Sequence, residues 1–189
     1  SMLAPEVVNV IRMRNQSPAL QRGSKKWVQA LDTVDWLTAQ LPTGARYQLI
    51  LFNTQARFAL PETQGRWLEI ADSEQVERAV SSVRNVLPEG GTSLHNAFDF
   101  LSELDSKPDN IFLVTDGLPT QGKSTPRRNT VSGPARLKHY RDALKALPSG
   151  VPVNVVLSPM EGDPLAASEF WKLAQNSGGS FMAPAKDWP

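Results

Sequence analysis

The most restrictive feature of this sequence is a regular alternation between short apolar runs and longer segments with helical periodicity. Ile111-Phe112-Leu113-Val114 is apolar at every position, as expected for a strand buried on both faces of a sheet. Residues 151–157 form a second apolar run, and the segment between them, residues 135–147, repeats its apolar positions at helical spacing. Strand, helix and strand in succession predict an α/β fold with a mostly parallel sheet.

The other predicted elements continue this alternation. Apolar stripes at helical spacing predict further helices at residues 25–41, 73–87, 164–176 and from residue 92 or 93 onward. Further strands are predicted at residues 47–52, 56–60 and 180–182, the first two forming a hairpin. The hairpin partner, residues 56–60, would be an antiparallel edge strand.

This order of elements predicts a three-layer, Rossmann-like, doubly wound fold with helices on both faces of the sheet. The 189 residues suffice for one domain, so we expect residues 1–189 to form a single domain. We further expect this domain to be part of a longer, bacterial polypeptide.

The composition excludes several classes of function. Without cysteine, the chain has no disulfide, no thiolate zinc site and no cysteine nucleophile. A formal net charge of +1 provides no strong field for nucleic acid or an anionic membrane. No apolar run approaches the ~20 residues of a membrane span. We therefore expect no contact with nucleic acid or membrane, while the compartment, cytoplasmic or extracytoplasmic, stays open.

Two loops carry side chains that could act chemically at one edge of the sheet. Thr92 lies at the start of a predicted helix, and Asp116 directly follows the central apolar strand. Ligands of open α/β sheets bind at the carboxyl ends of the strands. A hydroxyl and a carboxylate are hard oxygen donors that suit Mg²⁺ or Mn²⁺. Each residue also has a structural interpretation, Thr92 as a helix cap and Asp116-Gly117 as a turn.

Together these loops resemble the metal-ion-dependent adhesion site (MIDAS) of von Willebrand factor type A (vWA) domains. That family has an Asp-x-Ser-x-Ser motif after its first strand, then a threonine loop, then an aspartate after a later strand. Gly91-Thr92 resembles the second part and Thr115-Asp116-Gly117 the third. The resemblance extends from the helix near residue 25 to the last strand. It implies a non-catalytic module that recognises a protein or another ligand, with Mg²⁺ or Mn²⁺ coordination completed by an acidic side chain of the partner.

The sequence departs from that family in the first motif, because no Asp-x-Ser-x-Ser occurs in it. In one register Ser1-Met2 is the end of the motif and the first strand lies upstream, which makes Ser1 a third candidate metal ligand beside Thr92 and Asp116. In the other register residues 7–13 are the first strand and residues 15–19 a degenerate motif. The second register would bury Asn9 and Arg12, which is unfavourable. Both registers lack a ligating aspartate, so we expect an incomplete metal site.

A missing central strand has a structural consequence. Its neighbours would lose their ladder partners, and unpaired sheet edges associate readily. We therefore expect either that residues 7–13 enter the gap or that the chain pairs with another chain.

Two other functions remain open from the sequence. Residues 117–124, from Gly117 to Ser124, match the phosphate-binding pattern G-x-x-x-x-G-K-[ST] and follow a strand, which would indicate a nucleotide-binding NTPase. A true P-loop needs a helix that begins at Lys123-Ser124, whereas Pro126 and Gly133-Pro134 predict a long exposed loop. The third function is that of a purely structural domain in a larger assembly.

The same loop carries a cluster of positive charge. Lys123, Arg127 and Arg128 would lie on the Asp116 side of the sheet, where they would favour an acidic partner segment. The alternative is an ordinary solvated loop.

Overall fold

In the computed structural model, which describes residues 2–124, 131–185 and 188, helices and strands alternate from residue 94 onward, after three helices, four strands and a further helix. The helices are α1 (Val7–Arg14), α2 (Pro18–Arg22), α3 (Lys25–Gln40), α4 (Ser73–Arg84), α5 (Leu94–Asp99), α6 (Gly133–Ala143) and α7 (Ala166–Ser177). The strands are β1 (Arg46–Tyr47), β2 (Ile50–Phe52), β3 (Ala56–Phe58), β4 (Leu68–Glu69), β5 (Ile111–Thr115), β6 (Val153–Leu157) and β7 (Phe181–Met182). None of the helices in these ranges is long and apolar enough to span a membrane.

The strands form three separate ladders. β5, β6 and β7 form a parallel sheet in that order, with Ile111 beside Val153 and Val155 beside Phe181. β2 pairs antiparallel with β3, and β1 pairs antiparallel with β4. The fold is therefore mixed α/β with a parallel three-stranded sheet and an antiparallel hairpin, in agreement with the coarse prediction from the sequence. The single continuous sheet of that prediction is not formed by the described residues.

The strand predicted over residues 47–52 is divided between two ladders. Tyr47 lies opposite Leu68, whereas Ile50 lies opposite Phe58. At the break, Gln48 Oε1 accepts a hydrogen bond from the Leu49 N–H at 2.9 Å, and Gln48 Nε2 donates to the Arg66 carbonyl at 2.9 Å. Local side-chain bonds of this kind compete with ladder bonds, which the apolar pattern alone does not reveal.

Residues 7–13 do not enter the gap in the sheet, so the first of the two alternatives is wrong, and pairing with another chain stays a prediction. Val7–Arg14 form helix α1, in which Val10 is buried while Asn9 and Arg12 remain exposed. A helix buries only one side, so it leaves both polar side chains in solvent, whereas a central strand would bury them.

Two apolar clusters cover opposite faces of β5. Leu113 packs in a cluster with Phe98 of α5, Tyr140 of α6 and Phe170 of α7. Val114 packs in the other, whose buried members come mainly from α3 and include Trp27. Since successive side chains of a strand point to opposite faces, β5 has helices on both sides, as the three-layer prediction requires.

Candidate functional site

Three loops meet at the carboxyl ends of β2 and β5. The Ser93 N–H donates to the Asn53 carbonyl at 2.7 Å, and Asn96 Nδ2 donates to the Thr54 carbonyl at 2.8 Å. Gln121 Nε2 reaches the same Thr54 carbonyl at 3.3 Å. These bonds bring the segment after β2 and the segment after β5 to one edge, so the two strands run in the same direction. We call the three loops the rim loops, and they comprise residues 53–55, 90–93 and 116–124.

Thr92 is fixed by its backbone and does not cap a helix. Its N–H donates to Thr120 Oγ1 at 2.8 Å, and its carbonyl accepts from the N–H groups of Thr120 at 2.9 Å and Gln121 at 3.1 Å. Ser93 is the N-cap of α5, because its Oγ accepts from the Asn96 N–H at 3.1 Å. The interpretation of Thr92 as a cap is therefore wrong, and its half-buried side chain has no part in starting the helix.

Asp116 is the partner of a buried lysine. Its Oδ2 lies 3.4 Å from Lys26 Nζ, and the two side chains are 7% and 6% exposed. Burial lowers the pKa of Lys26, and the charge of Asp116 and its hydrogen bond offset part of that effect. In a buried pair each charge offsets the desolvation of the other. Removing either side chain alone would leave an unpaired buried charge and lower the free energy of unfolding.

The role of Lys26 was not predicted from the sequence, although a signal was present. Lys26, Ala30 and Thr33 are spaced four and three residues apart and are all buried on α3. They form a second row beside the apolar stripe of Trp27 and Leu31, and a lysine in such a row requires a buried acidic partner.

A second buried ion pair fixes the turn after Asp116. Asp163 Oδ2 accepts from the Leu118 N–H at 2.6 Å and lies 2.7 Å from Arg136 Nη2, while Arg136 Nε donates to the Leu118 carbonyl at 3.1 Å. A Cβ at Gly117 would lie 2.5 Å from Asp163 Oδ2, so a larger residue there would displace the Asp163 carboxylate. Asp116-Gly117 thus starts a tightly held turn, as its structural interpretation predicts. Nothing in the spacing links Arg136 and Asp163 to it, because the three segments meet only in the folded chain.

Thr92 and Asp116, two of the predicted metal ligands, both line one groove between β2 and β5. Ser1, the third, lies outside the described residues, and its neighbour Met2 lines the same groove. The two side chains supply one hydroxyl and one carboxylate that already faces an ammonium group, whereas Mg²⁺ requires about six oxygen ligands. In the ranges described, no group of three or more His, Cys, Asp or Glu side chains is placed to hold a metal. These residues therefore do not fit a divalent cation unless further ligands are added and Lys26 is displaced.

The loop that matches the P-loop pattern already uses its backbone donors. The Leu118 N–H binds Asp163, and the N–H groups of Thr120 and Gln121 bind the Thr92 carbonyl. Lys123 and Ser124 are exposed and not helical, and α6 begins only at Gly133. The phosphate cradle of a P-loop needs free N–H groups and a helix start, which residues 117–124 do not offer. Arg127 and Arg128, the rest of the predicted basic cluster, lie outside the described residues.

Comparisons with known proteins identify the fold. No protein-family model matches the sequence, and no curated protein matches it significantly. The structure matches a von Willebrand factor type A protein from Catenulispora acidiphila with a TM-score of 0.62, over 89% of this chain and at 20% sequence identity. The chain has a vWA-like α/β fold. The match covers 36% of the Catenulispora chain, so the vWA fold seen here corresponds to a minor part of that longer protein.

Proposed function

We propose that this chain is a non-catalytic recognition module that binds a protein or other ligand at its rim loops. The observation that carries the proposal is the convergence of the rim loops at the carboxyl ends of two parallel strands, where open α/β sheets bind ligands. The vWA fold supports a recognition role only as an analogy, since a fold can host many functions.

The rim loops have the rigidity that a recognition surface needs. Ser93 is fully buried and joins two of the loops, because its Oγ donates to the Gly122 carbonyl at 2.8 Å. Buried ion pairs at Lys26–Asp116 and Arg136–Asp163 hold the third loop from both sides. A surface that is ordered before binding loses less conformational entropy on association.

The proposed partner presents an acidic side chain. Lys123 is exposed in the rim loops, and a cation at the edge of an interface attracts and orients an acidic group. A serine or threonine hydroxyl such as that of Thr92 can donate a hydrogen bond to the same carboxylate.

The proposal has two forms, which differ in whether a divalent metal takes part in recognition. In the main form, recognition needs no Mg²⁺ or Mn²⁺, because the Lys26 ammonium already neutralises Asp116. In the metal-assisted form, Thr92, Asp116 and Ser1 contribute ligands after Lys26 moves away and an acidic partner supplies a further oxygen. The metal would then act as a bridge between the chain and its partner.

Binding experiments with defined probes test the proposal. Peptides with a central aspartate or glutamate are selected from a display library, and their affinities are measured for the native chain, Thr92→Ala and a remote control, Ser168→Ala. We expect Thr92→Ala to weaken binding by about tenfold, the value of one hydrogen bond to a charged group, and the control to have no effect. Peptides that bind both variants equally would contradict the proposal.

Calorimetric titrations separate the two forms of the proposal from the alternative functions. The metal-free form predicts the same peptide affinity in Mg²⁺ and in EDTA. Affinity that requires Mg²⁺ or Mn²⁺, and is lost in Asp116→Asn, would support the metal-assisted form. Binding of ATP or GTP that is lost in Lys123→Ala would instead identify a nucleotide-binding protein and overturn the recognition proposal.

A further inference from the structure

The first two helices carry a concentration of exposed apolar side chains. Four of the eight large apolar side chains that are exposed in the described residues lie in α1 and α2, namely Val7, Val8, Ile11 and Leu20. Val8 and Ile11 are 57% and 56% exposed. Single exposed apolar residues are ordinary, whereas a contiguous group of them indicates an interaction surface.

Helical geometry joins three of these side chains into one stripe on α1. Ile11 follows Val7 by four residues and Val8 by three, and residues at these spacings are neighbours on the surface of a helix. Val10 lies on a different side of α1 and is 5% exposed, so α1 packs on the rest of the fold through that side. The stripe is therefore a second apolar face of the same helix.

Hydrogen bonds at both ends hold α1 in this orientation. The Val7 N–H donates to Glu161 Oε2 at 3.2 Å at the start of the helix. At its end, the buried amide of Gln21 donates to the carbonyls of Arg14 at 3.2 Å and Gln16 at 2.9 Å. The stripe cannot turn toward the core unless these bonds break.

An arginine lies on each side of the stripe. Arg12 follows Val8 by four residues, Arg14 follows Ile11 by three, and both arginines are exposed. In the part of the chain that the structure describes, neither arginine lies within salt-bridge distance of an acidic side chain. Their charges are therefore available to a partner.

We propose that α1 docks an amphipathic helix of a partner protein. The apolar stripe of that helix covers Val7, Val8 and Ile11, and acidic side chains beside its stripe pair with Arg12 and Arg14. The backbone groups of α1 are bonded within the helix, so no strand can add to it, whereas two helices pack through their side chains. This surface lies outside the rim loops, and the inference stands independently of the proposed function.

Charge and size favour this partner over two other occupants. In a symmetric contact between two copies of this chain, the stripe would meet itself, and the arginines of both copies would repel each other. For an anionic membrane, an eight-residue helix with three β-branched apolar side chains and no aromatic residue offers little area to insert. A helix with acidic residues beside its apolar stripe complements both features of the surface.

NMR titration with a defined peptide tests the inference. The probe is Glu-Leu-Ala-Glu-Leu-Leu-Glu-Glu-Leu-Ala-Glu-Leu-Leu-Glu, in which the leucines form one helical face. We expect amide shifts in residues 7–14 and 18–22. Ile11→Ser should weaken binding by about tenfold, because one large apolar side chain no longer enters the contact. Val28→Ser, at an exposed valine of α3, is the matched control and should have no effect.

A charge exchange tests the role of the arginines. The double variant Arg12→Glu/Arg14→Glu should bind the probe about tenfold more weakly at low ionic strength, and the difference should shrink in high salt. The same variant should gain affinity for a peptide in which lysine replaces every glutamate. Arg141→Glu, at an exposed position of α6, is the matched control and should bind both peptides as the native chain does.

Several results would overturn the inference. These are the absence of binding, equal affinities of Ile11→Ser and Val28→Ser, or equal binding of the two peptides by the double variant. Shifts in residues 7–14 that grow with protein concentration without peptide would assign the stripe to a second copy, and binding to phosphatidylserine vesicles but not to the peptide would assign it to a membrane. Shifts confined to the rim loops would also contradict it, while leaving the proposed function intact.

Discussion

At the scale of single residues, the rim depends on side chains whose partners are distant in sequence. The sequence identified Asp116 and Gly117 because a carboxylate and a glycine after an apolar strand are recognisable locally. It did not identify Lys26 as the partner of Asp116, or Arg136 and Asp163 as the groups that hold Leu118. Such pairs form only when the chain folds, and no spacing rule relates them.

Substitution of Gly117 tests how tightly the turn after β5 is held. Gly117→Ala places a methyl group 2.5 Å from Asp163 Oδ2, so the carboxylate must move away from Leu118 and Arg136. We expect the free energy of unfolding to fall by about 1–3 kcal/mol, measured by urea denaturation. Gly44→Ala is the matched control, since nothing lies within 4 Å of a Cβ there. Equal stabilities of the two variants would show that the turn is loose.

A double-mutant cycle tests whether Lys26 and Asp116 depend on each other. Lys26→Met or Asp116→Asn alone leaves one buried charge without its partner, so each should lower the free energy of unfolding by about 3–5 kcal/mol. The double variant should lose much less than the sum of the two. The exposed pair Arg78–Glu62, 56% exposed on both sides, is the control and should couple by at most about 1 kcal/mol. Additive losses at Lys26 and Asp116 would contradict the buried pair.

At the scale of elements, helices with clear stripes and caps were predicted well, and irregular elements were not. Asp72 caps α4, since its carboxylate accepts from the Gln75 N–H at 3.0 Å. Ser24 occupies the N-cap of α3 without a side-chain bond. The strand at residues 47–52 was predicted as one element because its apolar pattern is continuous, whereas Gln48 interrupts it.

Two substitutions at the start of α5 distinguish the structural role of Ser93 from the proposed binding role of Thr92. Ser93→Ala removes the cap and the bond to the Gly122 carbonyl, so we expect a loss of about 1–2 kcal/mol in the free energy of unfolding. Thr92→Ala keeps both backbone bonds to Thr120 and Gln121 and should change stability by less than about 0.5 kcal/mol. Thermal unfolding of both variants measures the difference. A larger loss in Thr92→Ala would assign Thr92 a structural role instead.

At the scale of the whole molecule, the sequence predicted the mixed α/β class but not the three separate ladders, and metal binding by Thr92 and Asp116 stays a prediction. The alternation of helices and strands determines the α/β class, because each amphipathic helix must cover the sheet. A gap in the sheet was expected from the missing first motif, and the helical structure of Val7–Arg14 excludes the register in which residues 7–13 form the first strand.

The most direct test of a recognition surface at the rim loops is NMR chemical-shift mapping. The native chain is titrated with an acidic peptide selected for binding, and the perturbed amides are located on the structure. We expect the largest shifts in residues 53–55, 90–93 and 116–124, and no shift there on addition of ATP. Shifts confined to another surface, such as the exposed apolar side chains Val8 and Ile11 of α1, would contradict it.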